Sequence, residues 1–541
     1  MRADGGGRTR VRQSSMRGGR RKSVSALLGG ALLAGTLLVA PALADDDDDS
    51  PQQPESSQNE QPRTSGGFGY GGRALGPAPL EVLPPDPAYP VPEPLENPNL
   101  PEEVDVTPPW QENMVCDPFD KPGLEAFANL VGTHYGRPHY TTSRSCIDLK
   151  SEHYDGRAID WALNAYDPHD RRIGDAVAQW LTANNGEMAR RFGIQSIIWN
   201  QRVWHAYDDS GWRRYVGQSP HTDHIHFSFT WDGAMMRTSW WTGVAVERPD
   251  LGPCRGVAGA YAAIPLAPRY EPCAPSLVSV SHTGYADVRP GGQGAGVSLL
   301  QEAMGLKPTG VLDQKTREAL LAWQIEHGIP GTGVADQLSY AVALGEGVPD
   351  LPEHALAVPL PDYMTTPFTP FKRTVLGEGD QGDAVKLLQD ALGVEADGNF
   401  GPKTKEALEQ FTAEHPLLTD GATTTALTWH LLEQAAYPTL PYRHLELQVG
   451  DEGFAVKVLQ QQLGLEPDGK FGPITEEAVR KVQREAGLEP TGIVDGPTWA
   501  VADSGKGVSI LLNGGDVDEL GRTWADGSIV QGEADLPSAD E

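Results

Sequence analysis

The chain has 541 residues, 39% of them hydrophobic, with four cysteines and a formal net charge of −31. That length implies several domains rather than one core. The acidic balance excludes nucleic acid or an anionic membrane surface as a direct partner.

Residues 1–44 read as a secretory leader. Arg17, Arg20, Arg21 and Lys22 precede an apolar run from Val24 to Val39, and Pro41-Ala42-Leu43-Ala44 supplies small residues for cleavage. Without this segment, which carries eight basic residues and one acidic one, the balance falls to about −38. No other run is long enough for stable membrane insertion. Residues 45–110 open with Asp45 to Asp49 and stay rich in Pro, Glu, Gln, Gly and Ser. They read as a disordered acidic linker. Secretion and an even cysteine count imply disulfides. Of the three pairings, Cys116–Cys146 with Cys254–Cys273 is favoured, because each then brackets one edge of the same domain.

Residues 111–250 are tryptophan-rich and have an α+β pattern. Helical spacing runs from Ile173 to Arg191, with Gly193 as its stop. Strands are expected at 158–163, at 196–199 with a continuation through Arg202-Val203-Trp204, and at 224–229. Alternation puts Asp160 on one face with the small alanines, and Ile159, Trp161 and Leu163 on the other. It puts His224 and His226 together, with Ile225, Phe227 and Phe229 opposite. Imidazoles plus a carboxylate are the ligand set of a catalytic zinc site with an open position. His153, Asp160 and His226 are the candidate ligands, brought together by two strands of one sheet. His205 and His221 are expected at a polar rim.

The pattern Ser151-x-His153-x-x-Gly156-x-Ala158-x-Asp160 followed by His226 resembles the LAS-type zinc peptidases, which include lysostaphin, D-Ala-D-Ala carboxypeptidases and hedgehog domains. The resemblance implies zinc on His153, Asp160 and His226. It implies Asp223 as general base if the chain follows the carboxypeptidases, or His224 assisting if it follows lysostaphin. It also offers Arg144 as a substrate contact. SIIWNQRVW (196–204), GWRRY (211–215) and HTDHIHFSF (221–229) look like an actinobacterial secreted family with the D-Ala-D-Ala peptidase fold, over roughly 115–245.

Residues 251–275 form a cysteine-containing connector. Beyond them lies an internal repeat. AVKLLQDALGVEADGNFGPKTKEALEQF (384–411) aligns without a gap with AVKVLQQQLGLEPDGKFGPITEEAVRKV (455–482), and GVSLLQEAMGLKPTGVLDQKTREALLAW (296–323) is a weaker copy. Gln301, Gln389 and Gln460 each precede a threonine, Thr316, Thr404 or Thr475, by fifteen residues. The threonine is expected to cap or open a second helix, with Glu318, Glu406 or Glu477 in its first turn. Offsets of 71 and 88 residues suggest separate small bundles on short linkers, such as the Pro-rich 346–373. The repeats resemble the three-helix peptidoglycan-binding domain family, over 276–345 (divergent), 374–437 and 445–503; the second copy lacks the family's second glycine turn. Residues 504–541 are an acidic tail of no assigned function.

The expected molecule is multidomain: an α+β D-Ala-D-Ala peptidase-like domain followed by three small all-α three-helix modules. Its expected function is a secreted zinc peptidase, a D,D- or L,D-carboxypeptidase or an endopeptidase, acting on peptidoglycan stem peptides. The alternative is a non-catalytic wall-binding or scaffolding protein with a vestigial or structural metal site. A metal-dependent nuclease fits neither the charge nor the repeats.

Overall fold

The computed structural model describes residues 74–147, 151–275, 277–419 and 421–503. The expected leader, the first part of the expected linker and the acidic tail lie outside them.

Seven antiparallel strands form one sheet: β1 Ala74–Pro77, β2 Tyr140–Thr141, β3 Ala158–Ala162, β4 Ile194–Trp199, β5 Arg202–His205, β6 Arg213–Tyr215 and β7 His224–Phe229. Their order is β1-β6-β5-β4-β7-β3-β2. Period-two alternation makes the sheet two-sided. Ile159, Trp161, Ile197, Trp199, Ile225, Phe227 and Phe229 are all buried in an apolar core with α1 (Pro122–His134) and α2 (Pro168–Phe192).

Three expectations change here. The described part of the linker segment, 74–110, belongs to the fold: β1 pairs with β6, Leu95 joins the core at 5% exposure, and Asp105 accepts hydrogen bonds from Ser239 and Val246. Sparse apolar residues suffice because the sheet offers an edge to pair with. Arg202-Val203-Trp204 does not extend β4. Asn200 and Gln201 both have positive φ, 46° and 65°, and this two-residue turn folds β5 back along β4. Finally, α2 is interrupted at Ala183–Gly186, where Asn184, Asn185 and Gly186 turn left-handed. Asparagine and glycine tolerate that conformation and are weak helix formers. Gly193 ends α2 at φ 73°, and a Cβ there would meet Gly233 Cα at 2.4 Å.

Two short helices, α3 (Trp231–Ala234) and α4 (Ser239–Thr242), close the domain. Three helical groups follow: α5 Ala295–Ala303, α6 Gln314–Glu326 and α7 Gln337–Ala343; α8 Asp383–Ala391, α9 Pro402–Glu414 and α10 Ala426–Ala436; α11 Phe454–Gln462, α12 Pro473–Glu485 and α13 Gly496–Ala502. A buried amide joins the first two helices of each. Gln301, Gln389 and Gln460 donate to the hydroxyls of Thr316, Thr404 and Thr475 at 3.0, 2.9 and 3.2 Å. The threonine is therefore not a cap but an acceptor in the third helical position. Asp313 caps α6, whereas α9 and α12 open on proline at the first turn. Glu318, Glu406 and Glu477 consequently fall beyond the first turn.

The groups are not bundles on loose tethers. The second shares one continuous apolar core with the sheet domain, and Asn129 of α1 donates to Leu417 O at 2.8 Å. The first packs Val334 against the disulfide pair Cys116 and Cys146. The third sets Tyr442 OH on Thr242 O at 3.0 Å. The contacts converge on Asp117, fully buried, which pairs with Lys121 of its own domain at 2.8 Å, with Arg317 of the first group at 2.9 Å and with Arg373 ahead of the second at 2.9 Å. Both favoured disulfides are present, Cys116–Cys146 and Cys254–Cys273.

Candidate metal centre

The site occupies the sheet face opposite the apolar core. Asp160 on β3 lies directly across from His226 on β7, so their side chains share a face. His153 arrives from outside the sheet, on the 3-10 turn Glu152–Asp155. Gly156 ends that turn at φ 70°, and a Cβ there would lie 2.0 Å from Phe119 O. Only glycine permits this approach, which explains its place between the histidine and the strand.

One ligand atom from each of His153, Asp160 and His226 lies within 4.8 Å of the others. His153 Nε2 is 3.2 Å from Asp160 Oδ1, and His226 Nδ1 is 2.8 Å from the same oxygen. An ion with bonds of about 2.0–2.2 Å in tetrahedral geometry spaces its ligand atoms by about 3.4 Å. The trio is buried, at 0%, 9% and 3% exposure.

The outer partners of the imidazoles decide which nitrogens are bare. His153 Nδ1 is 2.6 Å from Thr142 O. A carbonyl only accepts, so Nδ1 carries the proton and the Nε2 of a neutral ring is a lone pair aimed at Asp160. His226 Nε2 is 2.9 Å from Ser228 Oγ, and that hydroxyl donates to Glu152 Oε2 at 3.4 Å. Nε2–H then donates to the serine, leaving His226 Nδ1 bare beside the carboxylate. Burial is the largest influence on His226 and, despite Asp160, lowers its pKa to about 4. Burial pushes Asp160 up, yet His153 and His226 hold it well below the usual carboxylate range. They do so only through protons on the nitrogens that face it; with both rings neutral in the tautomers above, lone pairs converge on the carboxylate instead. A cation among them removes the repulsion, so the donor set fits a divalent metal such as zinc.

Arg144 places its guanidinium on the other oxygen of Asp160, and its backbone N–H donates to His153 O at 3.0 Å. It braces a ligand while its side chain stays 42% exposed. His224 Nε2 lies 3.5 Å from Asp160 Oδ1, and its Nδ1 meets Asp223 Oδ1 at 2.9 Å. Asp223 precedes β7, and its side chain is 82% exposed; it reaches this cluster through His224. His221 and His205 are not at a rim: they are 1% and 5% exposed. The His221 ring is tilted 57° to that of His224 with centroids 4.7 Å apart, whereas His205 on β5 stacks on Tyr207.

Residues 120–226 match the VldE, C-terminal domain family. That span holds the whole cluster, from Arg144 to His226. Residues 455–501 match a peptidoglycan binding domain family, and they cover the third helical group. No curated protein and no solved structure matches the chain.

Sequence reasoning passed over Ser228, Glu152 and Thr142. Ser228 was legible, since it stands two residues beyond His226 on the same strand face. Thr142 contributes a carbonyl, for which side-chain identity carries no signal. Among the described residues, no helix is long and apolar enough to cross a membrane.

Proposed function

We propose that the chain is a secreted zinc peptidase that cuts amide bonds in peptidoglycan stem peptides and is held to the wall by its helical part. The observation that carries this reading is the convergence of His153 Nε2 and His226 Nδ1 on Asp160 Oδ1, with the opposite ring nitrogens engaged by Thr142 O and Ser228 Oγ. A peptidoglycan binding domain in the same chain supplies the substrate class. Two disulfides and the leader-like first 44 residues support secretion.

Zinc held by these three residues would acidify a water toward a pKa of roughly 7 and polarise a carbonyl. His224 is the proton acceptor in this reading. Its Nδ1–H donates to Asp223, which leaves Nε2 as a basic lone pair facing the cluster. Asp223 orients that ring and stabilises it once protonated. Arg144 neutralises the outer oxygen of Asp160 and turns its exposed edge toward an incoming carbonyl or carboxylate. The apolar face beneath the sheet keeps β3 and β7 in register, so the ligands stay fixed when substrate binds.

The depth of the trio favours the second reading, a structural metal in a non-catalytic wall protein. Digestion of purified muropeptides, followed by mass analysis, separates the two. The zinc-loaded protein is expected to shorten or split stem peptides, and His224→Ala to lose this while keeping its metal. Intact muropeptides after incubation with fully loaded protein would leave only the scaffold reading.

A further inference from the structure

The metal trio takes three contacts from one irregular loop. Thr142 O accepts from His153 Nδ1 at 2.6 Å. Arg144 N–H donates to His153 O at 3.0 Å, and the Arg144 guanidinium sits on Asp160. Residues 142–147 lie in neither helix nor strand, and β2 ahead of them is two residues long. A loop with no ladder of its own must take its shape from its neighbours.

Segment 116–120 supplies that shape. One oxygen of the Asp120 carboxylate accepts from Thr142 Oγ1 at 2.8 Å, and the other accepts from Ser143 N–H at 3.0 Å. Cys116 holds the far end of the loop through its disulfide to Cys146. The same segment holds the turn that carries His153. Asp117 N–H donates to Tyr154 O at 2.8 Å, and Phe119 O lies against Gly156. The segment is itself anchored, because the buried Asp117 carboxylate is gripped by Lys121, Arg317 and Arg373. Val334 and Tyr261 pack on the disulfide pair, and Cys116 and Cys146 are 0% and 7% exposed. The other disulfide differs: Cys273 is exposed, and the bond joins 254 to 273, outside both the loop and the turn.

We infer that Asp120 and the Cys116–Cys146 disulfide are positioning groups of the metal centre. The inference rests on the metal-binding reading above and extends it one contact beyond the ligands' own partners. Any backbone freedom left in the loop must be given up when an ion binds, and that cost appears as lost affinity. With both ends of the loop fixed beforehand, Thr142 O keeps the proton on His153 Nδ1 and leaves the Nε2 lone pair toward Asp160. Arg144 rides on the same loop. It keeps one oxygen of Asp160 engaged, so that Oδ1 is the oxygen presented to both imidazoles.

The test is zinc affinity of the full chain by chelator competition, with cobalt(II) as a spectroscopic probe of the same site. Cys116→Ser combined with Cys146→Ser, and separately Asp120→Ala, are expected to weaken zinc binding about tenfold or more. At saturating cobalt both are expected to shift or weaken the visible absorption band, which follows the arrangement of ligands and not the stability of the fold. Thr142→Val is expected to lose affinity with them, and Thr142→Ser, which keeps the hydroxyl for Asp120, to retain it. Cys254→Ser combined with Cys273→Ser opens a closure of similar size, spanning 19 residues against 30, and is expected to bind zinc as the parent does. Parental affinity and spectrum in the folded Asp120→Ala, Thr142→Val or Cys116–Cys146 variant overturn the inference. So does an equal loss in the Cys254–Cys273 control or in Thr142→Ser. Should the Cys116–Cys146 variant fail to fold, Asp120→Ala and the two Thr142 variants decide. A parent chain that binds no zinc ends the metal reading itself; a parent that binds it, with variants to match, ends the narrower inference alone.

Discussion

Replacing Asp117 with asparagine tests whether the helical groups and the sheet domain are one folded body. Asp117 is fully buried, and burial alone would raise its pKa; Arg373, Lys121 and Arg317 instead hold it far below the usual carboxylate range. The substitution keeps the shape and removes the one negative charge these three cations share. Breaking a buried ion pair from one side costs about 3–5 kcal/mol, because the partner charges stay behind. Arg373, with 34% of its side chain exposed, recovers part of its share from water. Lys121 and Arg317, at 8% and 5%, do not. The loss should remain near 3–4 kcal/mol, a fall in melting temperature of roughly 4 °C for a body this large. Because the folded pKa is depressed, the stabilisation is present above the unfolded value near 3.9 and lost as pH falls through the lower folded value. The gap between parent and variant should therefore hold steady from about pH 5 to 8. Differential scanning calorimetry measures it, and faster proteolysis within 346–373 should accompany it. A melting temperature within about 2 °C of the parent would refute the reasoning.

Ser228→Ala removes the acceptor for His226 Nε2–H and should weaken zinc binding about 10–100-fold in chelator competition; an unchanged Kd would show that the serine sets no tautomer. Asp223→Asn should lower the rate of muropeptide cleavage about 100-fold or more while leaving the zinc content, read by atomic absorption, intact. Burial raises the Asp105 carboxyl to about 6, against hydrogen bonds from Ser239 and Val246. Being raised, it contributes stability that is full below about pH 4 and lost as pH climbs through 6, about 3 kcal/mol in all. Urea titrations of Asp105→Asn should lack that slope; a parallel pH profile in both proteins would contradict it.

Much of the candidate metal cluster is legible in the chain itself. Asp160 and His226 each sit in a strand whose alternate residues are large and apolar, and period-two geometry then sends both to the opposite face whatever the rest of the protein does. Gly156 marks the turn that delivers His153, because a side chain there collides with Phe119 O. The buried glutamines of the helical groups announce themselves by a fixed distance to a threonine. These are local constraints, within one strand, one turn or one helix pair.

What stayed open in the sequence depends on distant neighbours. The choice between Asp223 and His224 turns on where β7 begins, since Asp223 one residue earlier is in solvent while His224 faces Asp160. The hairpin at Asn200-Gln201 and the break in α2 at Asn184-Asn185-Gly186 both fall on turn-forming residues, but the strand-like and helix-like patterns that resume beyond them read as one element. Docking of the helical groups was least legible: residues 329–335 and 489–494 form the same turn, and only the Cys116–Cys146 surface makes one of them interior. Burial is a property of pairs of surfaces, and a sequence specifies one surface at a time. The strands and ligand types were therefore determined along the chain, whereas the tertiary structure alone decided which turns face the domain and which face the solvent.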